Sequence, residues 1–278
     1  MRLAYGNYGM PRTQWSEMVR VIAGIGYHGL ELCVGAAYPT APERLSADDR
    51  AALRRLCAEQ QLALTSLLVV GMTVVEPDDA RHAANLERLR TIVALGHELG
   101  LDRPIVTNTL GGESADWPAG RDLLLARVGD WARVAQAEGG VFATEPHVGG
   151  IVDSPERARW LLGALGGAAG VNFDYSHFQL IPISLADALD ALVPYALGVH
   201  VKDVVGSYPA VRFLLPGEGQ LDYATYLRAL AAHGYDGWVT IEISGQIFNA
   251  PGYDGEYAAR FSYKTLADAL ATTGLRTT

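Results

Sequence analysis

The feature that most limits what this chain can fold into is an alternation that runs from one end to the other. Short runs rich in β-branched and apolar residues occupy positions 3–8, 29–34, 62–70, 104–110, 141–147, 171–177, 197–204 and 238–244, with longer stretches of helical period between them. Strands joined by helix-length connections pair in parallel, because a parallel neighbour is reached only by a crossover and never by a tight hairpin. Eight such repeats predict an α/β fold, a single (β/α)₈ TIM barrel over residues 1–278, a length near the roughly 250 residues such barrels occupy. A doubly wound open sheet is the competing arrangement. It would carry a glycine-rich phosphate loop after the first strand, and Gly6-Asn7-Tyr8-Gly9-Met10-Pro11 has neither that spacing nor a helix directly behind it.

The helical stretches have recognisable ends. Ser46, Ser154 (followed by Pro155) and Ser184 stand where an N-cap hydroxyl is needed, and Gly26, Gly100, Gly139 and Gly234 suit left-handed turns that close a helix. The segment 78–100 sets Ala83, Leu86, Leu89, Val93 and Leu99 near one face, a stripe for packing against the barrel. No linker or low-complexity tract divides the chain. With 49% apolar and 19% charged residues it can bury a large core. A net charge of −9 without any block of Lys or Arg offers no footprint for a phosphate backbone, so no nucleic-acid partner is expected. Cys33 and Cys57 make no disulfide framework, the N-terminus lacks the pattern of a signal peptide, and no apolar run has membrane-spanning length. A cytoplasmic protein with no membrane partner is the expectation.

In a parallel barrel the chemistry sits at the C-terminal ends of the strands. Four expected strands carry an ionisable residue there: Glu145 in Ala143-Thr144-Glu145-Pro146-His147, Asp174 in Asn172-Phe173-Asp174-Tyr175, His200 in Val199-His200-Val201-Lys202, and Glu242 in Thr240-Ile241-Glu242-Ile243. Singly, each has a plain structural explanation as a cap, an ion pair or a hydrogen-bonded core histidine. Together, three carboxylates and an imidazole at equal depth on neighbouring strands leave buried negative charge that needs a cation. Three oxygen donors and one nitrogen suit one divalent metal ion, Mn²⁺ first, with Mg²⁺, Co²⁺ and Zn²⁺ compatible. His147 and Lys202 lie two residues beyond Glu145 and His200 and so face the same way, either towards a substrate or into ordinary structural pairs. Asp203 and Glu218 read as loop-capping or ion-pairing residues, and His28, His82, His97 and His233 as surface residues. Trp117 and the stretch 247–253 are expected on long loops, as a pocket wall or an oligomer contact.

At these residues the chain resembles the xylose isomerase-like barrel superfamily, the sugar phosphate isomerase/epimerase group. The resemblance rests on Glu145-Pro146-His147 followed by Ser154-Pro155-Glu156, on Asp174-Tyr175-Ser176-His177, on His200-Val201-Lys202-Asp203, and on Pro216-Gly217-Glu218-Gly219 leading to Gly234-Tyr235-Asp236-Gly237-Trp238. It implies a metal on Glu145, Asp174, His200 and Glu242, with Glu145 and Glu242 also moving protons on opposite faces of the substrate. It further implies His177 as a donor to a substrate oxygen, Arg212, on the loop after strand seven, as a substrate clamp, and Glu31 reaching the pocket from strand two. The expected activity is isomerisation or epimerisation of a keto sugar or polyol ketone through an enediolate that the cation stabilises. Dehydration beside a ketone, as in inosose or dehydroshikimate dehydratases, is the alternative on the same scaffold. An endonuclease IV-like role would need further histidines on strands three and four, where the sequence reads Leu67-Leu68-Val69-Val70-Gly71 and Thr107-Asn108-Thr109-Leu110. A noncatalytic sugar-binding barrel is the remaining reading. Homo-oligomers are compatible with the resemblance, which does not specify one.

Overall fold

A computed structural model describes residues 1–275. Strands β1 (Arg2–Gly6), β2 (Gly29–Cys33), β3 (Ala63–Leu68), β4 (Ile105–Asn108), β5 (Val141–Thr144), β6 (Ala169–Asp174) and β7 (Ala196–Val201) precede a small hairpin, β8 (Asp203–Ser207) and β9 (Ala210–Leu214), and a last strand, β10 (Trp238–Ile241). All but the hairpin close into one parallel barrel in the order β1-β10-β7-β6-β5-β4-β3-β2, the (β/α)₈ arrangement the alternation predicts. Helices α1 (Trp15–Ile25), α2 (Ala47–Glu59), α3 (Asp79–Glu98), α4 (Trp117–Ala137), α5 (Pro155–Ala164), α6 (Ser176–Gln179), α7 (Leu185–Leu192), α8 (Tyr223–Ala232), α9 (Gly245–Phe248) and α10 (Gly255–Thr273) complete the chain.

The expected caps do their work. Ser46, Ser154 and Ser184 each accept a backbone N–H three residues on, and Ser46 forms a full capping box with Asp49. Gly26 closes α1 at φ 116°, a left-handed conformation open to glycine at little cost. The face that α3 buries matches the expected stripe at Leu89, Val93 and Leu99, with Leu86 half-buried against the core, and departs from it at the start of the helix. Leu89 and Val93 are buried as expected, but Ala83 is exposed and His82 is buried, its Nε2 2.9 Å from Asp130 Oδ2 on α4. His82, Leu89, Ile92, Val93 and Gly96 follow the helical period, so a histidine with a carboxylate partner occupies a place that periodicity alone gives to an apolar residue. His28, His97 and His233 are exposed, and both cysteines are free and buried. Among the described residues no helix is long and apolar enough to cross a membrane.

Along each strand the period of two separates the layers. Phe142 packs on Trp131 of α4 and Phe173 on Phe178 of α6, which turns Ala143, Asn172 and Asp174 into the barrel. Asn172 is paired in register with Gly198 and Asp174 with His200. A Cβ at Gly198 would stand 3.0 Å from Asn172 Oδ1, so the glycine leaves room for a polar side chain inside the barrel. The seventh run breaks before its expected end: β7 stops at Val201, Lys202 interrupts it, and the chain turns into the β8–β9 hairpin where a loop is predicted. Val205 opposite Arg212 and Val204 opposite Phe213 form alternating residues on an extra ribbon beside the barrel mouth.

Candidate metal centre and active site

Glu145 and Glu242 fall one residue beyond β5 and β10, yet both remain on the ladder. The Glu145 N–H donates to Asn108 O at 2.9 Å and the Glu242 N–H to Val201 O at 3.1 Å, so the strand alternation still aims both carboxylates inward. Glu145, Asp174, His200 and Glu242 are all buried, and one ligand atom from each lies within 4.8 Å of the others. Around them stand Glu31, whose Oε1 is 2.9 Å from His200 Nε2, and Lys202, whose Nζ is 2.6 Å from Asp174 Oδ2 and also contacts Glu242 Oε2. Asn172 Nδ2 donates to Glu145 Oε2 at 2.8 Å, and the Ser176 N–H to Asp174 Oδ1 at 2.8 Å.

Four buried carboxylates face one ammonium, and this imbalance dominates the electrostatics. Burial pushes the Glu145 carboxyl up, but the positive charges of His200 and Lys202 outweigh it and hold the group well below the usual carboxylate range. Glu242 is likewise raised by burial and lowered more by Lys202, to about 2. Burial disfavours a charged His200, while Glu31 and Glu145 favour it and carry its pKa well above the ordinary value. For His147, burial and then the neighbouring His177 act in the same direction and lower it to about 4, so it is neutral at pH 7.

The donor set fits a divalent ion. His200 Nδ1 is buried without a hydrogen-bond partner, 3.3 Å from Glu145 Oε2 and 3.7 Å from Glu242 Oε2. With Nε2 facing Glu31, Nδ1 faces those oxygens, and a divalent ion between them would take the place of the proton that Glu31 and Glu145 favour on the ring. A ring of oxygens with one imidazole nitrogen suits a hard or borderline divalent metal; it leaves the identity among Mn²⁺, Mg²⁺, Co²⁺ and Zn²⁺ open.

Above the cluster opens a cavity of about 280 Å³, at the small end for small-molecule sites, lined by Glu145, Glu242, His147, Lys202, Asn108 and Phe213 among others. Three residues expected to touch substrate are placed elsewhere. Glu31 is buried behind His200, with its second oxygen accepting from Ser66 Oγ at 2.7 Å, and it does not line the cavity. His177 sits in α6 rather than at the end of a strand. It is wholly buried, its ring 3.9 Å from that of His147, with Nε2 3.4 Å from Glu145 Oε1. Arg212 is exposed on β9, and the reason is alternation: Phe213 turns to the site, its ring 5.6 Å from that of His177, so its neighbour turns away. Arg212→Ala is therefore expected to change kcat/KM by no more than about threefold, as for other surface substitutions. Phe213→Ala should raise KM by more than that, and steady-state kinetics on the two variants distinguishes them.

Sequence reasoning did not single out Asn108, Tyr8, Ser244 or Phe213, which also line the cavity. Asn108 carried the same signal as the four cluster residues, a polar side chain at the end of an apolar run. Phe213 carried none, because nothing in its sequence marks the hairpin. Asp203 takes the loop-capping role expected of it, accepting the Gly217 and Gly219 N–H groups at 2.7 and 2.9 Å. Trp117 begins α4 and packs edge-on against Trp160 of α5, and Phe248 packs edge-on against Tyr8 at the cavity wall.

The chain is a closed parallel barrel with a buried Glu-Asp-His-Glu cluster at its C-terminal mouth, a set that suits a divalent metal, beneath a cavity of small-molecule size. Residues 19–268 match the family described as xylose isomerase-like TIM barrel, and the chain belongs to that family. It is 30% identical over 250 residues to the rhizopine catabolism protein MocC of Rhizobium meliloti, covering 78% of this chain and 70% of that protein. It is 24% identical over 250 residues to the inosose dehydratase of Salmonella typhimurium, covering 82% and 80%. Among solved structures, an IolI protein with a bound zinc atom superimposes with a TM-score of 0.81 at 16% identity over 99% of this chain and 100% of that one. The D-psicose 3-epimerase of Clostridium cellulolyticum with D-tagatose superimposes with a TM-score of 0.79 at 15% identity, over the same 99% and 100%.

Proposed function

We propose that this chain is a divalent-metal-dependent enzyme that moves a proton at the carbon beside the carbonyl of a keto sugar or polyol ketone, as an isomerase or epimerase. One observation carries this reading: Glu145 and Glu242 both line the cavity but come from β5 and β10, with β6 and β7 between them in the barrel. Two carboxylates that approach a bound molecule from separate sides can remove a proton on one face and return it on the other. Glu145 is ionised and held by Asn172, so it is a base of fixed direction. His147, neutral and in the cavity wall, is placed to hydrogen-bond a substrate hydroxyl. A divalent ion held by Glu145, Asp174, His200 and Glu242 would supply Lewis-acid stabilisation of the negative charge that develops on the carbonyl oxygen. Mn²⁺ is the preferred occupant for this oxygen-rich set.

Dehydration beside the ketone is the second reading, and the likeness to MocC and to inosose dehydratase supports it as well as the epimerase fold supports the first. Both begin with the same proton removal and differ in whether a β-hydroxyl then leaves. Neither uses nucleic acid. The residues that follow β3 and β4 into the cavity, including Val69, Met72, Asn108 and Thr109, contain no histidine of the kind a zinc-cluster endonuclease needs.

Ketoses, inososes and keto-glycosides incubated in D₂O with Mn²⁺ separate these readings. Deuterium entering the carbon beside the carbonyl, with an isomer or epimer as product, supports the first. A new near-ultraviolet absorption from an enone or diene replaces it with the second. Binding of a ketose without any exchange leaves a sugar-binding barrel and removes both.

A further inference from the structure

We propose that the Lys202 ammonium and the divalent ion compete for one position, so that metal binding swings Lys202 out of the carboxylate cluster and into the cavity, where it becomes a donor to the substrate. The inference rests on the metal reading above and concerns what this chain's own lysine does there.

Asp174 Oδ1 accepts the Ser176 N–H at 2.8 Å, and Glu145 Oε2 accepts from Asn172 Nδ2 at 2.8 Å, each keeping a second lone pair. Asp174 Oδ2, the Glu242 carboxylate and either oxygen of Glu145 are open to an ion. Lys202 Nζ lies 2.6 Å from Asp174 Oδ2 and 3.9 Å from Glu145 Oε1, and it contacts Glu242 Oε2. Among the described residues it is the one Lys or Arg paired with these carboxylates. A divalent ion sits about 2.0–2.2 Å from its carboxylate oxygens. An ion using these oxygens would therefore stand in van der Waals contact with Nζ, and two cations so close repel strongly in a buried site.

The lysine has somewhere to go. Lys202 already forms part of the cavity wall, with Nζ 5.6 Å from the centre of the Phe213 ring, and its four-carbon stem rotates without moving the backbone. The Phe213 face receives a cation favourably. The arriving ion brings two positive charges where the departing ammonium takes away one, so the excess negative charge of the carboxylate cluster falls. Lys202, already in the cavity wall, would thus turn its ammonium from the cluster towards a bound molecule in the loaded enzyme.

The chain has two lysines, Lys202 and Lys264, and Lys264 is exposed on α10, so it serves as an internal control. Reductive methylation of the intact protein followed by peptide mass spectrometry reads both, with Mn²⁺ binding measured in parallel by calorimetry. With chelator present, Lys264 is expected to react and Lys202 to be protected. At saturating Mn²⁺ the Lys202 rate should rise by about tenfold or more, while Lys264 is unchanged. Lys202 remaining protected while calorimetry registers bound Mn²⁺ overturns the shared position and leaves the metal reading standing. Lys202→Met should bind Mn²⁺ about tenfold or more tightly than wild type, equivalent to removing a competitor. Ion binding to Lys202→Met but not to wild type would show that the ammonium is never displaced and would overturn its swing into the cavity. Failure of both proteins to bind Mn²⁺, Mg²⁺, Co²⁺ or Zn²⁺ removes the metal reading and this inference together.

Discussion

Glu145→Gln and Glu242→Gln are each expected to lower deuterium exchange at the carbon beside the substrate carbonyl by about 10³-fold or more. A positioned general acid or base contributes on the order of 10²–10⁴-fold, and each glutamate is also one of the four residues that would hold the ion. Gln keeps the shape and removes the charge. Because His200 and Lys202 hold the Glu145 carboxyl well below its ordinary range and Lys202 holds that of Glu242 at about 2, each negative charge stabilises the fold at neutral pH, and its loss should lower the melting temperature without abolishing folding. Glu242→Gln leaves Lys202 its ion pair with Asp174 at 2.6 Å, so no cation is stranded. Exchange followed by proton NMR, with a thermal melt on the same samples, checks both halves. A variant that exchanges within tenfold of wild type would remove that glutamate from proton transfer, and a collapsed melting temperature would show a folding role instead.

The cluster was legible in the sequence because a barrel converts strand order into position. Once eight parallel strands are recognised, a polar residue at the last position of each run has to point to one mouth. Register did the rest: Asp174 stands opposite His200 because β6 and β7 are neighbours in the barrel. What the sequence hides is the partners of a side chain. Glu31 lies near the end of a strand like the others, yet its carboxylate is paired with Ser66 and His200 and does not line the cavity, a difference in side-chain partners that leaves no trace in composition. The hairpin is hidden for a different reason. The adjacent pairs Val204-Val205 and Phe213-Leu214 break any strict apolar–polar alternation, and the segment continues directly from β7 with only Lys202 between. The clamp role that the resemblance implies for Arg212 assumes a loop there, whereas side-chain direction on a paired strand is fixed by pleat. His82 shows the limit on helices: an apolar stripe tolerates a histidine when a carboxylate such as Asp130 meets it.

Glu31→Gln is expected to weaken divalent-metal binding by about 10–100-fold, the usual effect of removing the carboxylate behind a metal-binding histidine. The Ser66 hydroxyl donates to Glu31 Oε2 at 2.7 Å, and Glu31 Oε1 lies 2.9 Å from His200 Nε2. With an ion bound, the Glu31 carboxylate, as an acceptor, would keep the imidazole proton on Nε2 and leave Nδ1, which faces Glu145 and Glu242, to the ion. A glutamine in the same place can present its NH₂ to His200. That makes Nε2 the acceptor, moves the proton to Nδ1, and aims an N–H where the ion should sit. Metal affinity, read by calorimetry, should fall, and kcat at saturating Mn²⁺ should recover more than the apparent affinity for metal does, because Glu31 does not line the cavity. Glu31→Asp keeps the charge on a shorter arm and should lose less affinity than Glu31→Gln. Equal losses in the two variants would mean that packing, and not the imidazole proton, is what Glu31 controls; unchanged affinity in Glu31→Gln would detach Glu31 from the metal centre altogether.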